Sequence, residues 1–164
     1  MQHQKIDRPF ARAGLTETGL YWLELLLPGV PKTPNEIYSS NRFVRHKNAV
    51  NWKQIVYLTA RGYEPQEPLT LVHLSLIRYA PRTLDYDGLV GSMKPIVDGL
   101  ITRRDKKQGL KKNEREILWP GIIDNDTWAI TGPWFVDQMP APVGQEYVRV
   151  IVRQRAADQL DRKP

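Results

Sequence analysis

The chain predicts an α/β (α+β) fold in which a single-layer mixed β-sheet carries helices packed on it, and three observations point there. Its 164 residues make one ordinary domain, with 41% hydrophobic and 26% charged residues in the range of a globular chain. The run from Leu20 to Leu27 is an apolar stretch of strand length ended by Pro28-Gly29. The run Tyr147-Val148-Arg149-Val150-Ile151-Val152-Arg153 alternates with β-branched residues and is the clearest strand of all. Between them periodicity gives the order strand, helix, strand, helix, strand, strand, which suits helices laid on one sheet.

Taken in order, residues 1–18 lack periodicity and read as a loosely ordered tail ahead of a domain spanning 19–155. After the first strand, Pro31, Pro34, Asn35, Ser39, Ser40 and Asn41 mark a loop that continues into Arg42, Arg45, His46 and Lys47. Asn48 is a candidate N-cap for a helix to about Arg61, with Trp52, Ile55, Val56 and Thr59 near one face and Gly62 as its stop. A second strand runs from Leu69 to Tyr79, where Leu71, His73, Ser75 and Ile77 alternate. A second helix begins at Leu84 or Asp85 and reaches Ile101, with a kink expected at Pro95. A basic insert follows at about 102–118, then strands at 128–136 and 146–154, and a polar tail at 156–164.

The absence of cysteine excludes disulfides, thiolate metal sites and cysteine nucleophiles, and makes the cytoplasm the default location. No Walker-type loop, no Gly-x-Gly-x-x-Gly and no His-Glu-x-x-His occurs. The net charge is +6, and its placement says more than its size. Lys32, Arg42, Arg45, Lys47, Lys53 and Arg61 stand against Glu36 alone; the insert adds Arg103, Arg104, Lys106, Lys107, Lys111, Lys112 and Arg115. Asp85, Asp87, Asp98, Asp124, Asp126 and Asp137 are confined to two short stretches. Basic flanks draw a polyanion, and an acidic cluster facing it needs a cation between them.

At 100° per residue, Asp87, Gly91, Lys94 and Asp98 fall within about 60° of one another, opposite Leu89, Met93, Ile96 and Leu100. Asp85 lies at the junction just before this helix, from which both carboxylates could converge on one point. Mg²⁺ takes a few carboxylate oxygens and keeps water. Asp85 and Asp87 would supply two, and Asp124-Asn125-Asp126, following Ile122-Ile123, would complete the site if the chain folds back. Such a metal polarises a phosphoryl oxygen and activates water. Lys94 suits the stabilisation of developing negative charge, with Asp98 orienting it as an i,i+4 pair. Against this, Asp85 also fits an ordinary N-cap, Asp-Asn-Asp a turn, and Lys94 with Asp98 a surface ion pair. The scattered His3, His46 and His73 form no ligand set, and His73 reads as structural.

The run Asp85-Tyr86-Asp87-Gly88-Leu89-Val90, through Met93-Lys94-Pro95-Ile96-Val97-Asp98-Gly99-Leu100 to Gly121-Ile122-Ile123-Asp124-Asn125-Asp126, resembles the RusA-type Holliday junction resolvases, especially phage and prophage members. Pro34-Asn35, Asn41-Arg42-Phe43 and Trp52-Lys53 are similar to that family's opening and basic loop, and the resemblance covers about Tyr21 to Gln154. It implies a RusA-like fold and a homodimeric, Mg²⁺-dependent crossover junction endodeoxyribonuclease of DNA recombination and repair, with Mn²⁺ as the alternative metal. By position Asp85, Asp87 and Asp126 match the catalytic aspartates and Lys94 the catalytic lysine. Asp124 is the other candidate for the third metal ligand. Three features depart from the family: Gly88 stands where Asn is usual, the insert is long, and the N-terminal tail is extra.

The charges fit DNA on their own. Arg42, Arg45, Lys47 and Lys53, with Arg103, Arg104, Lys106 and Lys107 of the insert, are candidate phosphate contacts, and Phe43 a candidate stacking side chain. The competing readings are a non-catalytic junction or single-stranded DNA-binding protein, and a small-molecule metallophosphatase for which the basic segments would be superfluous.

Overall fold

The computed structural model describes residues 8–38, 41–101, 121–125 and 127–156. Five strands form one mixed sheet: β1 (Phe10–Leu15), β2 (Tyr21–Pro28), β3 (Val72–Ala80), β4 (Phe135–Pro140) and β5 (Tyr147–Gln154), in the order β1-β2-β5-β3-β4. Only the β3–β4 pair is parallel, and every other neighbour is antiparallel. The helices are α1 (Pro34–Tyr38), α2 (Arg42–Ala60), α3 (Tyr86–Leu100) and the single turn α4 (Trp128–Thr131).

Alternation decides which side of the sheet is core. Leu23, Leu25 and Leu27 on β2, Val148, Val150 and Val152 on β5, and Val72, Leu74 and Leu76 on β3 are all buried with Trp52 and Val56 of α2 and Leu89, Met93, Ile96 and Leu100 of α3. The amphipathic assignment of α3 therefore holds, and the helix runs unbroken through Pro95. On β3 the buried set is the phase opposite to Leu71, His73, Ser75 and Ile77, because His73 and Ser75 are polar enough to accept the sheet's other face. There His73 is exposed and pairs in register with Arg153.

Three further boundaries differ from the sequence reading. The tail expected at 1–18 contains β1, which a tight turn at Gly19 (φ 75°) folds back onto β2; only Ala11 of this edge strand is buried, so its composition carries little apolar signal. Helix α2 starts at Arg42 instead of Asn48, because Asn41 caps it by accepting the Phe43 N–H at 3.0 Å. Its first turns are exposed and so carry no apolar period. The strand expected at 128–136 is a helical turn closed by Gly132 (φ 57°), and β4 begins only at Phe135.

Glu24, on the sheet face away from the helices, is 6% exposed and bonded by both Arg12 and Arg149. Burial works to raise its carboxyl, but the two guanidinium partners outweigh burial and hold it below the ordinary value. The unfolded chain then binds more protons in acid, so this stabilisation is present above the ordinary glutamate range and is lost as the pH falls through the lowered folded value. Glu24→Gln is expected to cost about 1–2 kcal/mol near neutrality, since both arginines can turn toward water, and to flatten the acid limb of a melting-temperature profile. An unchanged acid limb would show that the pair carries no such linkage.

Candidate active site and nucleic-acid interface

The sheet topology sets where the charged groups meet. β2 and β3 both run antiparallel to β5, so they are parallel to each other and end on the same side of the molecule. α2 returns from β2 to β3, and α3 returns from β3 to the parallel β4. Both helices thus begin at the end of the sheet where β2 and β3 stop, which in parallel crossovers is the end that receives ligands.

Contacts between the helices fix their relative height. Lys53 Nζ of α2 lies 3.2 Å from Asp98 Oδ2 of α3, and a Cβ on Gly99 would meet Val56 Cβ at 2.8 Å. Eleven residues before Lys53 is Arg42, and eleven before Asp98 is Asp87. With equal rise per residue the basic start of α2 and the acidic start of α3 lie at the same distance along their helices from this contact, so both stand at the same end of the helix pair. At the same end α1 closes on α3 through Pro34, whose Cγ would lie 2.5 Å from a Cβ at Gly91; a side chain there would drive α1 away.

Asp85 is the N-cap of α3: its Oδ1 accepts the Gly88 N–H at 2.9 Å. The capping reading of Asp85 is therefore realised in the structure, and it leaves the carboxylate exposed beside the exposed Asp87. Gly88 takes part in this arrangement, since a Cβ there would stand 2.5 Å from Asp85 Oδ1. Any larger residue would turn the capping carboxylate. Gly88→Asn is accordingly expected to reorient Asp85 at little cost in stability, which the Asp85 carboxyl carbon shift in an NMR spectrum would report.

Lys94 is not directed at Asp87. Its Nζ lies 2.6 Å from Asp98 Oδ1, the i,i+4 pair expected from the sequence, and 5.8 Å from the centroid of the Trp134 ring. Asp98 in turn bridges Lys94 and Lys53, tying α3 to α2.

Asp124 is held elsewhere. The Ile122 and Ile123 N–H groups both donate to Leu100 O, at the last residue of α3, and the Asp124 N–H donates to Leu69 O. Asp87 and Leu100 are thirteen residues apart, about 20 Å along the helix. The structure thus anchors the backbone of Asp124 at the opposite end of α3 from Asp85 and Asp87, because the apolar pair before it is drawn under the C-terminus of that helix. Asp126, the other third-ligand candidate, lies outside the described residues, as do Arg103, Arg104, Lys106 and Lys107 of the insert.

Two exposed carboxylates at i and i+2 suit Mg²⁺, which is held by few protein oxygens and keeps several waters. Among the described residues no group of three or more histidine, cysteine, aspartate or glutamate side chains converges on a point. Arg42, Phe43 and Lys47 are exposed and Arg45 is half-buried; Phe43, at 80% exposure, has no role in the core. Two helix N-termini at this end add positive partial charge that favours phosphate.

Arg78 and Arg82 stand outside the residues that sequence motifs single out. Arg78 occupies a core-facing position in the alternation Val72, Leu74, Leu76, Arg78, Ala80 and is buried with them. A charged residue in phase with an apolar face is the signal that would have singled it out.

The chain matches no family model, no curated protein and no solved structure. Among the described residues no helix is long and apolar enough to cross a membrane.

Proposed function

We propose that this chain is a Mg²⁺-dependent, structure-selective endonuclease that cuts four-way DNA junctions by paired phosphodiester hydrolysis, acting as a homodimer in the manner of the RusA-type resolvases its sequence resembles. The observation that carries the reading is that Arg42, Arg45 and Lys47 at the start of α2 and Asp85 and Asp87 at the start of α3 lie at the same end of two helices joined through Lys53 and Asp98. A polyanionic strand drawn onto the basic helix start would be presented to two carboxylates that repel it unless a cation intervenes. Asp85 and Asp87 would hold that cation, which when bound supplies polarisation of the phosphoryl oxygen and a more acidic water. Arg42, Arg45 and Lys47 would neutralise flanking phosphates, and Phe43 would offer a face for an unstacked base.

The test is cleavage of a labelled four-way junction beside a linear duplex of the same sequence, with and without Mg²⁺. Symmetrical nicks near the crossover that require the metal support the reading. Junction binding without cleavage in Mg²⁺ or Mn²⁺ would replace it with the non-catalytic binding protein, a reading favoured by the capping role that Asp85 already fills.

Binding should fall steeply with salt. Each phosphate neutralised contributes about −0.9 to the slope of log affinity against log salt on duplex DNA. Arg42→Ala is expected to reduce that slope by about 1 and to weaken binding to all sequences alike. A slope unchanged by this substitution would remove the start of α2 from the interface.

A further inference from the structure

At the same end of the sheet, between the ends of β2 and β3, lies a cleft of about 370 Å³ lined by Arg78, Arg82 and Glu146 among the apolar Val30, Pro81 and Val143. Arg78 is only 7% exposed. Its Nη1 donates to the Arg82 carbonyl oxygen at 2.6 Å, while its buried Nε has no hydrogen-bond partner among the described residues. A buried donor without an acceptor is costly, and the cost is greater for a charged group. Burial pulls the guanidinium below its ordinary pKa, against the opposing fields of Glu36 and Glu146.

The two neighbouring carboxylates do not discharge this demand. Glu36 Oε2 already accepts the Thr33 N–H at 2.7 Å and the Thr33 hydroxyl at 3.0 Å, closing the turn that leads into α1. Glu146 lines the cleft, yet leaves the Arg78 Nε unmatched. Arg78 and Arg82 face one carboxylate in the lining, Glu146, and Glu36 also acts on Arg78 from beside the cleft, so little positive charge is left over. That balance suits a phosphodiester, which carries one negative charge, better than a doubly charged phosphate monoester. Arg82 also lies three residues before Asp85, and the Leu84 N–H and carbonyl between them are both pinned by the Gln138 side chain of β4. The segment joining cleft to carboxylates is therefore held in place by the sheet.

We infer that this cleft is a phosphodiester-binding subsite in which Arg78, assisted by Arg82, receives a backbone phosphate of the strand presented to Asp85 and Asp87. The inference rests on the nucleic-acid reading of the site. Arg78 and Arg82 are positioning residues: they hold a phosphate next to the cut and take no part in the reaction at phosphorus. A guanidinium matches a phosphate through paired donors, so lysine at position 78 would keep the charge and lose the geometry.

The experiment follows the arginine Nε–Hε resonances of the full chain by NMR without metal, at constant ionic strength, with Arg78 assigned through Arg78→Lys. The probes are dimethyl phosphate, inorganic phosphate and a ten-residue oligothymidylate. The expected result is a shift of the Arg78 Nε–Hε signal with the oligonucleotide and with dimethyl phosphate, larger than with inorganic phosphate. Oligonucleotide affinity should weaken about tenfold in Arg78→Lys, and more modestly in Arg82→Ala, a substitution at an exposed residue whose hydrogen bond with Arg78 is made through its backbone carbonyl. Oligonucleotide that binds through the start of α2 while the Arg78 signal stays still would overturn the subsite. So would silence of that signal toward every probe. A response to dimethyl phosphate with no oligonucleotide binding would leave the cleft as an oxyanion site but overturn both its role for a strand and the nucleic-acid reading.

Discussion

Asp87→Asn is expected to lower metal-dependent junction cleavage on the order of 10³-fold, equivalent to several kcal/mol of transition-state stabilisation, while leaving junction affinity and thermal stability close to wild type. Asp87 is exposed in the first turn of α3, and the cap of that helix is supplied by Asp85, so replacing one Asp87 oxygen by an amide removes a proposed metal ligand and a charge without opening the fold. On the proposed reading affinity is carried by Arg42, Arg45 and Lys47, which the substitution does not touch, and the loss of a negative charge near the strand should tighten the metal-free complex slightly. Cleavage assays on the labelled junction, run beside binding assays in calcium, separate the two. If Asp87→Asn cut as fast as wild type, the carboxylates at the start of α3 would not be the reacting centre. The endonuclease would then have to be built around residues outside those described, or abandoned. Asp85→Asn is a weaker probe, since the amide oxygen can still accept the Gly88 N–H while the charge is lost.

Gly99→Val is expected to destabilise the fold by about 2–3 kcal/mol, lowering the melting temperature by roughly 8 °C. A Cβ at position 99 would stand 2.8 Å from Val56 Cβ and 3.2 Å from Lys53 Cα, and the second of these is backbone that cannot swing aside. Part of the steric cost is offset because valine is a better helix former than glycine, by a few tenths of a kcal/mol. The same contact fixes the register of α2 on α3 and hence places the starts of both helices at one end of the pair. Prising the helices apart should therefore weaken Lys53–Asp98 and reduce cleavage more than it reduces DNA binding. Urea unfolding with an unchanged midpoint would show that α2 does not approach α3 this closely, and that the two helix starts are not held together at one end.

Much of the architecture is legible in local pattern. The apolar run ending at Pro28-Gly29, the alternation of Tyr147 to Arg153, the greasy side of α3 and the Trp52, Val56 and Thr59 face of α2 each report burial by one element against a sheet, and periodicity records that directly. Elements that bury little left no such record. β1 is an edge strand, the first turns of α2 are solvent-facing, and α4 is a single turn; each is fixed by a cap, a glycine or a neighbouring strand.

The candidate site divides along the same line. From sequence alone came the two carboxylates at a helix start, the Lys94–Asp98 pair and the concentration of basic residues in the segment that forms α2, because charge and i,i+4 spacing are properties of the chain itself. The tertiary structure alone decided the rest. It brought the starts of α2 and α3 to the same end through contacts between residues more than forty positions apart in sequence, and it carried Asp124 to the far end of α3 by drawing Ile122 and Ile123 beneath Leu100. It also turned Arg78 into the core side of β3 beside a cleft. Spacing along one helix dictates which side chains share a face; which faces and ends of different elements meet depends on strand order and crossover direction, and these are set by burial summed over the whole sheet.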